Sequence, residues 1–385
     1  VWGVIGKRAA QKLSDEASAY FANAQSKYLQ PDHLEWKVRA ALRAGKWEQV
    51  LDATAAMDET QRLEPAWIYW RARALTSAGR PAADRAQATA LYESIASVRG
   101  FYEQLALEEL GRKITVPPAP PPPTAKEKQD IRNDAALVRS IHAISIGLRS
   151  EGDREWNYVV RLHDPGGMND RDLLATADLA CEREDWKNCI NTSERTRDFI
   201  AFDQRFPMPL HDAVIARSRN IGLDPAYVYG LIRQESRFLM DARSGVGASG
   251  LMQVMPATAR WTAKKIGLDG FKPNQINDRD VNIAIGTAYL KLALDDFAGS
   301  MPLAAAAYNA GPGRPRSWRN GPVLEAAIWA ENIPFNETRD YVKKVLSNTT
   351  NYAAITTGQP QSLKARLGMV GPRAADSSAE NKDLP

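Results

Sequence analysis

The sequence predicts an all-α protein: an α-solenoid of helical hairpins, then a small helical linker domain, then a mostly helical C-terminal domain. Three observations predict it. Apolar residues recur at spacings of three and four along most of the chain, which is the stripe of a half-buried helix. Ala-Gly breaks interrupt the first third at intervals suited to hairpins. No convincing run alternates apolar and polar β-branched residues, so any strand is short and local.

At 385 residues the chain has room for two or three domains with buried cores. Hydrophobic residues make up 44% and charged ones 25%, the balance of an ordinary globular protein. The net charge of +4 leans weakly toward anionic polymers. Lys and Arg are scattered among Asp and Glu with no basic stripe, so nucleic acid is not an expected partner. No stretch approaches ~20 apolar residues, so no transmembrane segment is expected. The opening VWGVIGKRAAQKL already reads as helix, which suggests a processed or truncated product lacking its signal peptide and any lipid-anchoring cysteine.

Residues 1–116 contain a loose repeat. LEWKVRAALRAGKWEQVLDATAAM and PAWIYWRARALTSAGRPAADRAQATALYESIA each set a Trp early, then an Ala/Arg-rich helix, then Ala-Gly before a second helix. Trp36 and Trp67, like Gly45 and Gly79, recur after a little over thirty residues, a period typical of stacked hairpins. An irregular helical domain of similar composition is the alternative. In VPPAPPPPTAKEK, prolines at 117, 118 and 120–123 forbid helix and favour an extended spacer, which opens a linker region over 117–205.

Within that region Cys181 and Cys189 bracket a polar turn. They are either a structural disulfide of an oxidising compartment or two buried thiols, and spacing excludes neither. His33, His142, His163 and His211 are dispersed and form no metal-ligand cluster. Residues 206–358 form the candidate catalytic domain, and the polar, small-residue-rich 359–385 read as a flexible tail.

Asp224 followed by Pro225 marks a helix start in GLDPAYVYGLIRQESRF. At ~100° per residue, Glu235 then projects with Val228, Leu231, Ile232 and Phe238 on the apolar stripe, well inside the helix. A carboxyl turned from water has a raised pKa and suits proton donation to a leaving glycosidic oxygen. A structural Glu held by an Arg is the alternative. Downstream, Gly245, Gly247 and Gly250 satisfy GxGxxG, but no strand precedes them, so a dinucleotide loop is not supported.

Four segments in order, QESRF, GASGLMQVMP, AAAAYNAGPGRPRSW and ENIPFNETRDYVKKVL, together with RGFYEQLALEELG upstream, resemble the soluble lytic murein transglycosylases. The catalytic domain of that family is similar to goose-type lysozyme. The resemblance implies that 206–358 is lysozyme-like and that 1–116 is the C-terminal portion of an α-superhelical (U-type) domain, shorter here than is usual. It implies Glu235 as the single acid/base, with Ser236, Ser244, Gln253, Met255, Tyr308, Asn309 and Glu337 lining a glycan groove. It requires no cofactor or metal.

The implied reaction is cleavage of the β-1,4 bond between N-acetylmuramic acid and N-acetylglucosamine. Glu235 protonates the bridging oxygen, then draws the proton from the C6 hydroxyl, which attacks C1 to leave a 1,6-anhydro end. A mildly acidic optimum is expected. The implied partners are peptidoglycan strands, with cell-wall synthesis or hydrolysis proteins on the repeats, and the implied location is the periplasm, free or attached to the outer membrane by a missing N-terminal lipid anchor. A hydrolytic muramidase and a cell-wall scaffold are the competing readings.

Overall fold

The computed structural model describes residues 1–77, 81–163, 165–374 and 380–385. The fold is all-α. Among the described residues, regular strand is limited to Leu324–Glu325 paired antiparallel with Met369–Val370.

The first region holds helices Trp2–Gln11, Ala17–Ala22, Pro31–Arg43, Trp47–Ala56, Pro65–Leu75, Ala82–Ile95 and Phe101–Glu109. Pro31 and Pro65 stand in first turns, where a missing N–H leaves nothing unbonded. Gly45 takes φ +65 and lets the chain reverse between Pro31–Arg43 and Trp47–Ala56. The two repeat tryptophans meet through a cation: the Arg39 guanidinium is 4.9 Å from the Trp36 ring and 5.2 Å from the Trp67 ring. Gly79, the second turn glycine of the repeat, lies outside the described residues.

The proline-rich segment is tied down along its length. Ile114 exchanges backbone hydrogen bonds with Gln361 at 3.1 and 2.8 Å, and Arg171 donates to the carbonyls of Pro121 (2.7 Å) and Pro122 (3.0 Å). The helices that follow, from Ala125–Arg132 to Phe202–Arg205, enclose a separate small core of Leu137, Trp156, Val160, Leu173 and Leu179. Cys181 and Cys189 are bonded to each other with Cα atoms 5.0 Å apart, across the turn between Asp170–Glu182 and Trp186–Ser193.

The third region packs onto the first in one continuous core that runs from Leu34 and Trp70 to Tyr227, Leu346 and Tyr352. At its centre the helices Pro225–Glu235 and Asn336–Thr357 lie in close contact. Gly230 makes this approach possible, because a Cβ there would sit 2.5 Å from Thr349 Oγ1 and 2.8 Å from Thr349 N.

The expected flexible tail, 359–385, is corrected by the structure. Its described residues include the helix Leu363–Leu367 and the strand Met369–Val370, with Leu363, Leu367, Val370 and Leu384 buried. Composition misleads here because four well-spaced apolar side chains are enough to dock an otherwise polar segment. Arg366 reaches back to Asp224 Oδ2 at 2.9 Å.

Candidate active site

Asp224 caps the Pro225–Glu235 helix by accepting from the Ala226 N–H at 2.9 Å, and Pro225 supplies a preset first turn. Glu235 is the last residue of this helix, not an interior one. Arg237 and Phe238 take φ +49 and +66 and turn the chain away, so Phe238 reaches the core through a left-handed turn and not through helical periodicity. Ser236 makes that turn tolerable: its hydroxyl accepts from the Phe238 N–H at 3.1 Å and donates to the Ile232 carbonyl at 3.4 Å.

Glu235 is half-buried, and Tyr341 from the facing helix donates its O–H to Glu235 Oε1 at 2.5 Å. Burial pushes the Glu235 carboxyl up to about 8 against the opposing effect of the Tyr341 hydrogen bond, and the nearby charge of Glu337 adds to the rise. The carboxyl therefore stays protonated at neutral pH. Tyr341 lies inside the fourth motif, yet nothing in the linear pattern distinguishes it from any core tyrosine of an amphipathic helix, and sequence reasoning did not single it out.

The glycine-rich segment is a tight turn. Ser244 and Ala248 pair at 2.9 Å through their backbones and through the Ser244 hydroxyl, and Ser249 bridges to both Arg243 and Val254. Asn282 fixes the segment from beneath by accepting from the Met252 N–H (2.9 Å) and donating to the Ser249 (3.1 Å) and Ile276 (2.8 Å) carbonyls. Gly250, at φ +79, leaves the space that the Asn282 amide fills. Asn282 is a second structural element of the site that the motifs did not flag.

Gln253 sits at φ +46, and its Nε2 donates to the carbonyls of Ala242 and Gly250, both at 2.8 Å. Both N–H groups are thus engaged, and only the amide oxygen remains to accept. Met255 is 40% exposed at the start of the next helix and is not core. Tyr308 donates its O–H to the Met252 carbonyl at 2.8 Å and packs against Tyr289 with ring centres 5.4 Å apart. Burial holds its phenol well above the ordinary value, and the Glu235 charge adds to this. Asn309 accepts from Thr338 Oγ1 at 2.7 Å and offers a long 3.4 Å contact to Glu337 Oε1, which leaves N–H capacity in the cleft. Glu337 is exposed in the first turn of Asn336–Thr357.

Tyr308 and Glu337 thus lie close enough to Glu235 to act on or feel its charge, and Asn309 contacts Glu337. The hydroxyls of Ser236 and Ser244, by contrast, are bonded to backbone. Among the described residues no group of acidic, His or Cys side chains is arranged to hold a metal. A separate cavity of about 450 Å3 bounded by Arg73, Glu109, Glu325 and Lys364 contains none of the candidate residues, and its charges are paired with one another.

The site is anchored on both sides. Arg233, one helical half-turn before Glu235, bonds Glu194 at 2.7 Å, Asn348 at 3.1 Å and the Arg205 carbonyl at 2.8 Å. Glu331 is 1% exposed where the first and third regions meet, and it pairs with Arg39 at 2.9 Å and Lys343 at 3.1 Å and also with Tyr102. Burial alone would raise its carboxyl, but Lys343, Arg39 and Arg339 hold it down at about 2.

The family model "Transglycosylase SLT domain" matches residues 212–325, and "Soluble lytic transglycosylase helical domain" matches 332–361. By these matches the chain is similar to the soluble lytic murein transglycosylase family.

Within this family, the soluble lytic murein transglycosylase of Salmonella typhimurium is 30% identical over 333 residues, covering 86% of this chain and 50% of the relative. That of Escherichia coli K12 is 28% identical over 367 residues, covering 94% and 55%. The solved structure of an inactive Glu-to-Gln mutant of the lytic transglycosylase Slt from Pseudomonas aeruginosa superposes with TM-score 0.81 at 33% identity, covering 93% of this chain and 57% of that one. The chain spans about half the length of the curated relatives it matches. The family's helical-domain model falls on the Asn336–Thr357 helix and its approach, a stretch that contains Tyr341 and Glu337.

Proposed function

We propose that the protein cleaves the β-1,4 bond between N-acetylmuramic acid and N-acetylglucosamine in peptidoglycan without consuming water. Glu235 acts as the single acid/base. The observation that carries this reading is the Glu235 carboxyl itself, kept protonated to about pH 8 by burial at a helix end and oriented by Tyr341 at 2.5 Å. Because Tyr341 occupies Oε1 as a donor, the acidic proton resides on Oε2, free for the leaving oxygen.

As the glycosidic bond breaks, the 2-acetamido group of the muramic acid stabilises the cation at C1. The ionised Glu235 then takes the proton of the C6 hydroxyl, which closes on C1 to give the 1,6-anhydro product. An attacking hydroxyl already held beside C1 has a high effective concentration and outcompetes solvent. Supporting contacts come from the Gln253 amide oxygen as acceptor, the remaining Asn309 N–H as donor, Met255 as apolar surface and Glu337 as acceptor. Ser236 and Ser244 support the walls through backbone bonds. Tyr308, locked to the Met252 carbonyl, shapes the floor.

Among the described residues no helix is long and apolar enough to cross a membrane. The proposed setting is the periplasm, where a Cys181–Cys189 bond persists, and the helical repeats offer a surface for other cell-wall enzymes. The test is digestion of purified peptidoglycan by the protein and by Glu235→Gln. Wild type should release products one water lighter than reducing-end muropeptides, and the variant should release essentially none. Reducing ends from wild type, or undiminished release by the variant, would overturn the proposal.

A further inference from the structure

A cleft of about 470 Å3 adjoins the Glu235 site through Asn309 and Glu337 and continues to Arg314, Phe335 and Asn336. Its far wall includes Gln11, the last residue of the Trp2–Gln11 helix, so a residue from the start of the chain completes a groove built by the third region. The Arg314 guanidinium lies over the Phe335 ring at 4.8 Å and donates one N–H to the Ala310 carbonyl at 2.8 Å. Among the described residues no carboxylate pairs with it. Its neighbour Arg316 is bound to Asp296 at 2.8 Å and to Glu380 at 2.8 Å, so the sequence around Arg314 does not lack for ion pairs.

A guanidinium stacked on an aromatic face has already lost much of its side-chain freedom, and its unused N–H groups form a planar fork that fits a carboxylate. Beside it stands an amide, Gln11, able to donate and accept. The sugar rings of a wall glycan are uncharged, so the anionic groups that a bound strand brings to this cleft are those on the lactyl side arm of muramic acid.

We propose that Arg314, with Phe335 and Gln11, forms a subsite for a carboxylate carried on that side arm. The carboxylate is either the free lactyl acid or an acid of the attached peptide. The proposal rests on the cleft being glycan-binding, and it makes the N-terminal helices part of substrate selection: without Gln11 the subsite lacks its outer wall.

The test is calorimetric binding on a Glu235→Gln background, so that no turnover intervenes. The probes are three tetrasaccharides: an uncharged N-acetylglucosamine tetramer, a wall tetramer stripped to free lactyl acids, and the same tetramer bearing peptides. Added Arg314→Gln should weaken at least one carboxylate-bearing probe about tenfold, the loss of a charged hydrogen-bonded contact, and leave the uncharged tetramer within about twofold. Added Gln11→Ala should weaken the same probe by less, and whichever probe responds identifies the source of the carboxylate. Equal weakening of charged and uncharged probes, no weakening of any, or a parent protein that binds charged probes no more tightly than the uncharged one would overturn the subsite and leave the glycan reading standing. Failure of the parent to bind all three would remove the glycan reading and the subsite with it.

Discussion

Tyr341 and Glu235 meet at 2.5 Å across the contact between the two central helices, residues separated by more than a hundred positions in the chain. The phenol holds one carboxyl oxygen, so burial and hydrogen bonding act on the same group in opposite directions, and burial prevails.

The first consequence concerns pH. With the free carboxyl titrating at about 8, kcat/KM on peptidoglycan should hold through neutral pH and fall about tenfold per unit above 8. The mildly acidic optimum expected of a carboxyl that must be protonated first and ionised later should then extend to neutrality. A pH–rate profile whose alkaline limb begins near 5 would contradict this.

Stability should carry the same signature. The folded carboxyl keeps its proton to about 8 while an ordinary one releases it near 4.5. Between these values the native state binds more protons than the unfolded chain, so this group's contribution to stability falls as pH rises through that window. Glu235→Gln, which cannot ionise, should melt higher than wild type by about 2–4 °C at pH 8, with the gap closing toward pH 4.5. Thermal scans of both proteins across that range would check it.

Tyr341→Phe removes the one contact that lowers the Glu235 pKa. The alkaline limb should move upward while kcat falls by roughly 10–100-fold through lost orientation. A fall in kcat with the limb unmoved, or moved downward, would mean that the phenol does not act on Glu235.

Gly230→Ala places a methyl against Thr349 where two helices touch. The helices must separate, and the expected cost is about 1–3 kcal/mol in chemical denaturation, together with reduced activity as Tyr341 withdraws from Glu235. Wild-type stability in this variant would show that the contact is looser than the geometry indicates.

Glu331→Gln takes the shared carboxylate from buried Arg39 and half-buried Lys343, leaving them only Glu35 at 3.1 Å and Asp340 at 3.7 Å. The expected loss is about 2–4 kcal/mol, since the buried Arg39 guanidinium loses its buried partner and keeps only the half-buried Glu35. Chemical denaturation of both proteins measures it, and Trp36 and Trp67, which lie against Arg39, contribute to the fluorescence change.

The sequence by itself determined the all-α class, the hairpin turn at Gly45, the helix start at Asp224–Pro225 and the choice of Glu235 as candidate acid, because each is set by local chemistry: apolar period, backbone freedom, a capping oxygen, an acid in a recognisable motif. Only the tertiary structure decided the partners of those residues. Tyr341, Asn282, Arg366 and Glu331 act through contacts between segments far apart in the chain, and the docking of the segment around Gln361 and Arg366 depends on a surface that Ile114 and Asp224 help to build. The motifs offer Ser236 and Ser244 as groove residues; the fold engages the Ser236 hydroxyl as donor and acceptor within its turn, whereas the Ser244 hydroxyl accepts from Ala248 and keeps its proton to donate. A side chain's type can be read from its letter, whereas its free lone pairs and protons depend on which neighbours the fold brings within about 3 Å.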